Sequence, residues 1–160
     1  MKTTATIKKS DSLVKNISLT GFIAGTLDIM TAMILFYINT GNDPQIVLKY
    51  ISSAILGPQA FKEGLEIVFL GLVLHYIIAY SFTILFFMLY PKISFLSKNK
   101  YVSGIVYGVI IWMIMNLAIV PFSRANQAPF DLKGVITGVL IIILMVGLPV
   151  SIMANRYYRK

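Results

Sequence analysis

Residues Ile17 to Ile38 read ISLTGFIAGTLDIMTAMILFYI, an apolar run whose only formal charge is Asp28. About 20 apolar residues rising ~1.5 Å each cross a hydrocarbon core of ~30 Å, so this run is long enough to span a bilayer as a helix. Working outward, three more runs have the same character: Ile67–Tyr90, stopped by Pro91-Lys92; Tyr101–Phe122; and Val135–Ala154, ended by Asn155-Arg156. Strands of a membrane barrel would be short and alternating, not long and unbroken. The fold class expected is all-α: a polytopic membrane four-helix bundle forming a single domain over 1–160.

Composition agrees. The chain is 58% hydrophobic and 12% charged, about half the charge of a soluble domain. Its mean hydropathy is +0.82. There is no cysteine, which removes disulfides, thiolate metal sites, iron–sulfur ligation and cysteine nucleophiles from consideration. Lys2, Lys8, Lys9 and Lys15 precede the first run as they would in a signal peptide, but the run exceeds an h-region and no Ala-x-Ala-like site follows it in Tyr37-Ile38-Asn39-Thr40. An uncleaved first span is expected.

The net charge of +8 first suggests anionic partners, but the cations flank apolar runs and form no basic stripe with interleaved aromatics. Topology therefore accounts for them better than nucleic acid, which is not expected as a partner. The N-terminal arm, the second loop (Lys92, Lys98, Lys100) and the tail (Arg156, Arg159, Lys160) hold ten cations. The other side holds four: Lys49, Lys62, Arg124 and Lys133. By the positive-inside rule both termini lie in the cytoplasm. The first outer loop is too long for a turn. Asn42-Asp43-Pro44 opens a helix and Gly57-Pro58 closes one, so Gln45–Leu56 is expected as a short outer interfacial helix, lying on the leaflet or capping the bundle. The third loop, with Pro129, is expected to run irregularly over the outer face.

Asp28 lies roughly 16 Å into an outward span, and the single histidine, His75, roughly 12 Å into an inward one. Sequential antiparallel helices are neighbours as a rule, so the two fall within about one turn of each other in depth. A carboxylate hydrogen-bonded to the imidazole would be cheaper than either group alone. Three readings follow: a structural clasp between helices, a proton or ion relay, and cofactor ligation. No metal site is expected, because zinc needs more ligands than one His and one Asp. Haem would require a second axial ligand, from a dimer or another side chain. Tyr76 and Tyr80 flank His75 along the second span and are candidates for its hydrogen-bond network.

Small residues recur four apart as Gly21/Gly25, Gly104/Gly108 and Gly134/Gly138, the spacing that lets helix backbones approach. Packing within the chain is preferred to homodimerisation. The likeness of the first two pairs also raises a parallel duplication of two-helix units. Asn116, one turn after Trp112, reads as an interhelical hydrogen-bonding residue. Arg124 reads as snorkelling to outer phosphates, or else as an anion contact over the bundle mouth. Pro149 is expected to kink or end the last helix, with Ser151 satisfying a freed backbone group. Tyr37, Tyr90, Tyr101, Tyr157 and Tyr158 read as interfacial anchors. No paired carboxylates, phosphate loop or Ser–His–Asp set appears, so catalysis is disfavoured.

The segment Gly104-x-x-Tyr107-Gly108-x-x-x-Trp112-x-x-x-Asn116-x-x-x-x-Pro121-x-Ser123, together with Gly71-x-x-x-His75, resembles small four-helix bacterial inner-membrane proteins of the YagU-like group. The resemblance covers about half the chain and implies four helices in a bacterial inner membrane. It brings no activity with it. Asn116 stands where that group's pattern leads one to expect His, which weakens a shared metal or haem site. The functions expected are a non-enzymatic subunit or assembly partner, homo-oligomeric or with another membrane protein; alternatively a small transporter or proton-coupled component using Asp28 and His75; and third a haem-binding subunit.

Overall fold

A backbone surrounded by lipid has no water to bond, so long apolar runs must satisfy their amides internally by coiling. The computed structural model describes residues 2–62, 64–126 and 131–159, with side chains from Ser12 onward. It contains α1 (Lys2–Thr40), α2 (Gln45–Leu56), a 3-10 turn (Gly57–Phe61), α3 (Leu65–Leu89) and the short α4 (Ser94–Lys98). These are followed by α5 (Lys100–Phe122) and α6 (Leu132–Tyr158). No strand occurs among the described residues. Four helices, α1, α3, α5 and α6, are long and apolar enough to cross a membrane. The architecture is an all-α membrane bundle.

α1 continues far N-terminal of its apolar run, for 39 residues in all, or ~58 Å. The arm of Lys, Thr and Ser carries no proline or glycine, so nothing stops the helix where hydrophobicity stops. Side chains start three of the helices. Asp43 Oδ1 accepts from the Gln45 amide at 2.9 Å ahead of α2. Asn99 Oδ1 accepts from Tyr101 and Val102 at the start of α5. The Asp131 carboxylate accepts from Lys133 and Gly134 at the start of α6. Each satisfies amides that have no partner inside the helix.

Neither Pro121 nor Pro149 ends its helix where it stands. A wide π turn, Met115–Ile119, precedes Pro121, and another, Ile143–Gly147, precedes Pro149. A proline ring clashes with the carbonyl four residues back and offers it no N–H; here residues 117 and 145 fall inside the π turns, where widening relieves that conflict. Ser151 does not repair the break as expected: its hydroxyl donates to Lys100 O at 2.7 Å and pins α6 to the first turn of α5.

α1 packs between α3 and α6, α5 packs on α6, and α2 lies across α3. The main core gathers Ala24, Phe86, Phe87, Tyr90, Leu96, Tyr107, Ile111, Val146, Val150 and Ala154, with Leu13, Ile17, Tyr157 and Tyr158 against it. Leu13 and Ile17 of α1 and Tyr157 and Tyr158 of α6 therefore meet at one end of the bundle, the end that carries α4. α2 marks the opposite end.

Candidate functional site

The α1–α3 interface is built on glycine. A Cβ at Gly21 would run into the Tyr80 ring, and one at Gly25 would press on Tyr76 and Ala79. With hydrogen there instead, the rings lie close along α1, and their hydroxyls reach it: Tyr76 OH pairs with Thr26 Oγ1 at 2.7 Å, and Tyr80 OH donates to Ser18 O at 3.1 Å. Asp28 follows Gly21 and Gly25 by seven and three residues, so it continues the same helix face toward α2.

The close approach brings His75 to α1. Its Nε2 lies 2.8 Å from Gly25 O, and since a carbonyl only accepts, Nε2–H is the donor. The hydrogen bond thus goes to a backbone carbonyl one turn from Asp28, not to the carboxylate as expected. Asp28 and His75 still interact electrostatically, so the pair shares a site without a direct bond. The Nε2 proton is committed to Gly25, so in the neutral ring Nδ1 is the acceptor nitrogen. His75 is buried, whereas Asp28 is partly exposed. No hydrogen bond to the Asp28 carboxyl is formed among the described residues, and none of their sealed side-chain N or O atoms lacks a partner. The carboxyl therefore sits at the edge of the packed region with acceptor capacity unused.

Other expected residues have different partners from those anticipated. Tyr76 meets His75 edge-on, 5.6 Å between centroids, but the hydroxyls of Tyr76 and Tyr80 serve α1 instead of the imidazole. Asn116 Nδ2 donates to Trp112 O, one turn back in its own helix, so it makes no interhelical bond. Arg124 is tied to α2: its amide donates to Ala54 O at 3.0 Å and its Nη1 to Ile55 O at 3.4 Å. These are carbonyls of the last turn of α2, where a cation also complements the helix dipole.

The glycine pairs divide. Gly104 lies against Gly147 and Leu148, and Gly108 against the backbone of Ile143, so this pair joins α5 to the π turn of α6. Gly138 faces the Trp112 indole, but Gly134 meets only Asp131, its own capping residue, and is exposed. Gly134 takes no part in helix packing. Two further glycines do. Gly147 is the counterpart of Gly104 and Gly108, and Gly71 accommodates the Leu48 carbonyl where α2 crosses α3. The signal for both was a lone glycine inside an apolar span. Ser52 Oγ donates to Ile67 O at 2.6 Å beside that crossing. Tyr50 of α2 is half-buried, and burial pushes its phenol above the ordinary value.

An open apolar groove of about 550 Å³ runs along α3, lined by Phe69, Leu72, Tyr76, Tyr80 and Ile84 among others. No three His, Cys, Asp or Glu side chains converge to hold a metal among the described residues. Fold and site together define a multi-pass helical membrane bundle with an ionisable pair between two spans. Compared with family models, characterised proteins and solved structures, the chain matches none.

Proposed function

We propose that the protein is a non-enzymatic subunit or assembly partner of a complex in a bacterial inner membrane, with both termini in the cytoplasm. The observation that carries this reading is the Asp28 carboxyl, partly exposed and accepting no hydrogen bond among the described residues. A carboxyl at that depth with spare acceptors costs several kcal/mol unless a donor is supplied. A second membrane segment, from another copy or another protein, supplies it and completes the site. The lean packing around it supports the same reading. From Met30 to the end of α1, and from Leu132 to Met145 of α6, no residue is buried. The ten-to-four division of cations supports the orientation.

The test is native mass spectrometry of protein released in mild detergent, with the wild type compared with Asp28→Leu. A stoichiometric complex in the wild type is expected to dissociate in the variant while the monomer's helix content is unchanged. A wild type that is monomeric throughout sinks the proposal.

A second reading, a proton-coupled component, draws on one feature: His75 holds Gly25 through Nε2, and its ring is close enough to Asp28 to interact with it electrostatically. Imidazole and carboxyl at mid-depth are the usual parts of a proton path. Proton uptake by liposomes containing the protein, abolished by His75→Ala, would favour it over assembly.

A further inference from the structure

The two ends of the bundle differ in charge as much as in packing. By sequence, the segments on the α2 side hold Lys49, Lys62, Arg124 and Lys133 against Asp43, Glu63, Glu66 and Asp131, a balanced set. By sequence, the segments assigned to the α4 side hold ten cations and one acidic residue, Asp11. Topology explains an excess of Lys and Arg. It does not require that cations from separate helices be drawn together, and three of them are.

Arg159, at the end of α6, donates from Nη2 to Ser97 O at 3.2 Å. That bond sets its guanidinium at the peptide joining Ser97 to Lys98. Ser151 of α6 donates to Lys100 O, and Ser103 holds α4 through Leu96 O at 3.1 Å. α4 is thereby fastened to α5 and α6, with Lys98, Lys100 and Arg159 around one short stretch of surface. A guanidinium has five donors, so one bond to Ser97 leaves most of them free. The Lys100 ammonium lies 5.0 Å over the Tyr101 ring. No carboxylate pairs with any of the three among the described residues.

The same stretch is apolar as well as basic. Ile93, Phe95 and Tyr101 are exposed, at 40%, 47% and 54%, while Leu96 is the residue of α4 turned into the core. Basic groups interleaved with exposed aromatic and aliphatic side chains, at the end of membrane-spanning helices, match the boundary between acyl chains and headgroups. A soluble anion would engage the cations but leave Ile93 and Phe95 in water.

We propose that Lys98, Lys100 and Arg159 form a binding site for the phosphate of an anionic phospholipid, whose acyl chains lie against Ile93, Phe95 and Tyr101. The complex is non-covalent, and each cation near the surface strengthens it about fivefold.

The experiment uses the full chain in mild detergent, titrated separately with phosphatidylglycerol, phosphatidylcholine and sodium phosphate, and read by native mass spectrometry and thermal midpoint. Phosphatidylglycerol is expected to bind at least about tenfold more tightly than phosphatidylcholine and to raise the midpoint, with inorganic phosphate giving no rise. Lys98→Gln/Lys100→Gln/Arg159→Gln should bring the two lipids to parity. Lys49→Gln/Lys62→Gln/Lys133→Gln, at the other end, should preserve the preference. Should loss of the Arg159 bond unfold the triple variant, Lys98→Gln/Lys100→Gln carries the test, because neither side chain holds a backbone group. Equal binding of both lipids by the wild type, an equal rise with phosphate alone, or an equal loss in the α2-end control each overturns the proposal.

Discussion

The α4 half of the bundle is closed by a core of large side chains; the α2 half is held mainly where α2 lies on α3. In the first, Phe86 and Phe87 are 0% and 1% exposed. Polar groups there lock to named partners: Tyr107 OH to Phe82 O at 2.6 Å, Asn155 Nδ2 to Tyr90 OH at 2.6 Å, and Tyr158 OH to Phe87 O at 2.8 Å. In the second, α5 beyond Ile111 contains no buried residue, and Phe122 is 91% exposed. What holds that half is α2, laid over Gly71 and tied back by Arg124. Lipid provides little hydrophobic drive between helices, so cohesion depends on packing and hydrogen bonds. Cohesion is therefore concentrated near α4, and the α2 half is the part free to adapt to a partner. Asp28 and His75 stand where the two regimes meet.

The largest effect tests this division directly. A Cβ at Gly108 would lie 2.7 Å from Ile143 Cα, and backbone on a π turn cannot step aside as a side chain can. Gly108→Leu should abolish the folded bundle, seen as loss of the monodisperse peak in detergent chromatography. Gly71→Ala is more crowded still, against the Leu48 carbonyl, yet it should displace only α2. Its expected sign is faster proteolysis between residues 41 and 64, with little change in thermal midpoint. If Gly71→Ala unfolds the whole chain, the two halves are one cooperative unit and the comparison is wrong.

Phe86→Ala comes next. Removing a fully buried ring costs about 3 kcal/mol where the surroundings cannot collapse. The same change at Phe69, 66% exposed on α3, should cost well under about 1 kcal/mol. Thermal unfolding of both variants in one detergent measures the contrast.

How much of this was legible in the sequence depends on whether a feature is local. Span count follows from run length, and α2 occupies Gln45–Leu56, between the Asp43-Pro44 and Gly57-Pro58 that bracket it in the chain. The π turns were not legible, because a proline reports the conflict and not its resolution. The glycine pattern illustrates the same limit: Gly134 and Gly138 have the spacing of Gly104 and Gly108, but Gly134 falls in the capped first turn of α6, before α5 comes near. Asp28 and His75 could be placed at one depth by counting residues. That the imidazole bonds to the Gly25 carbonyl depends on a backbone approach that no count reveals.

A smaller effect separates hydrogen bonds by burial. Tyr107→Phe deletes a buried bond to Phe82 O and should cost about 1 kcal/mol, within the range for bonds between membrane helices. Tyr76→Phe deletes a bond to Thr26 at the rim of the α3 groove and should cost about half of that or less. Equal losses would mean that the α1–α3 seam is as firm as the core.

The smallest predicted change has the opposite sign. Gly134 is exposed, has no positive φ, and a Cβ there would touch only the Asp131 side chain, nearest at Oδ2, 3.1 Å away. Alanine is the better helix former by up to about 1 kcal/mol in a helix interior, and less in a first turn. Gly134→Ala should therefore leave the protein unchanged or raise its thermal midpoint slightly. Gly138→Ala must move the Trp112 indole, whose Nε1 would lie 3.1 Å from the new Cβ. In a tightly packed region that displacement would exceed the helix gain; around Trp112, where neither the ring nor Gly138 is fully buried, the indole has room to turn. Gly138→Ala should then be nearly neutral as well. A loss above about 1 kcal/mol would place a packed seam in the half of the bundle described here as open, and would return Gly138 to the same role as Gly104 and Gly108.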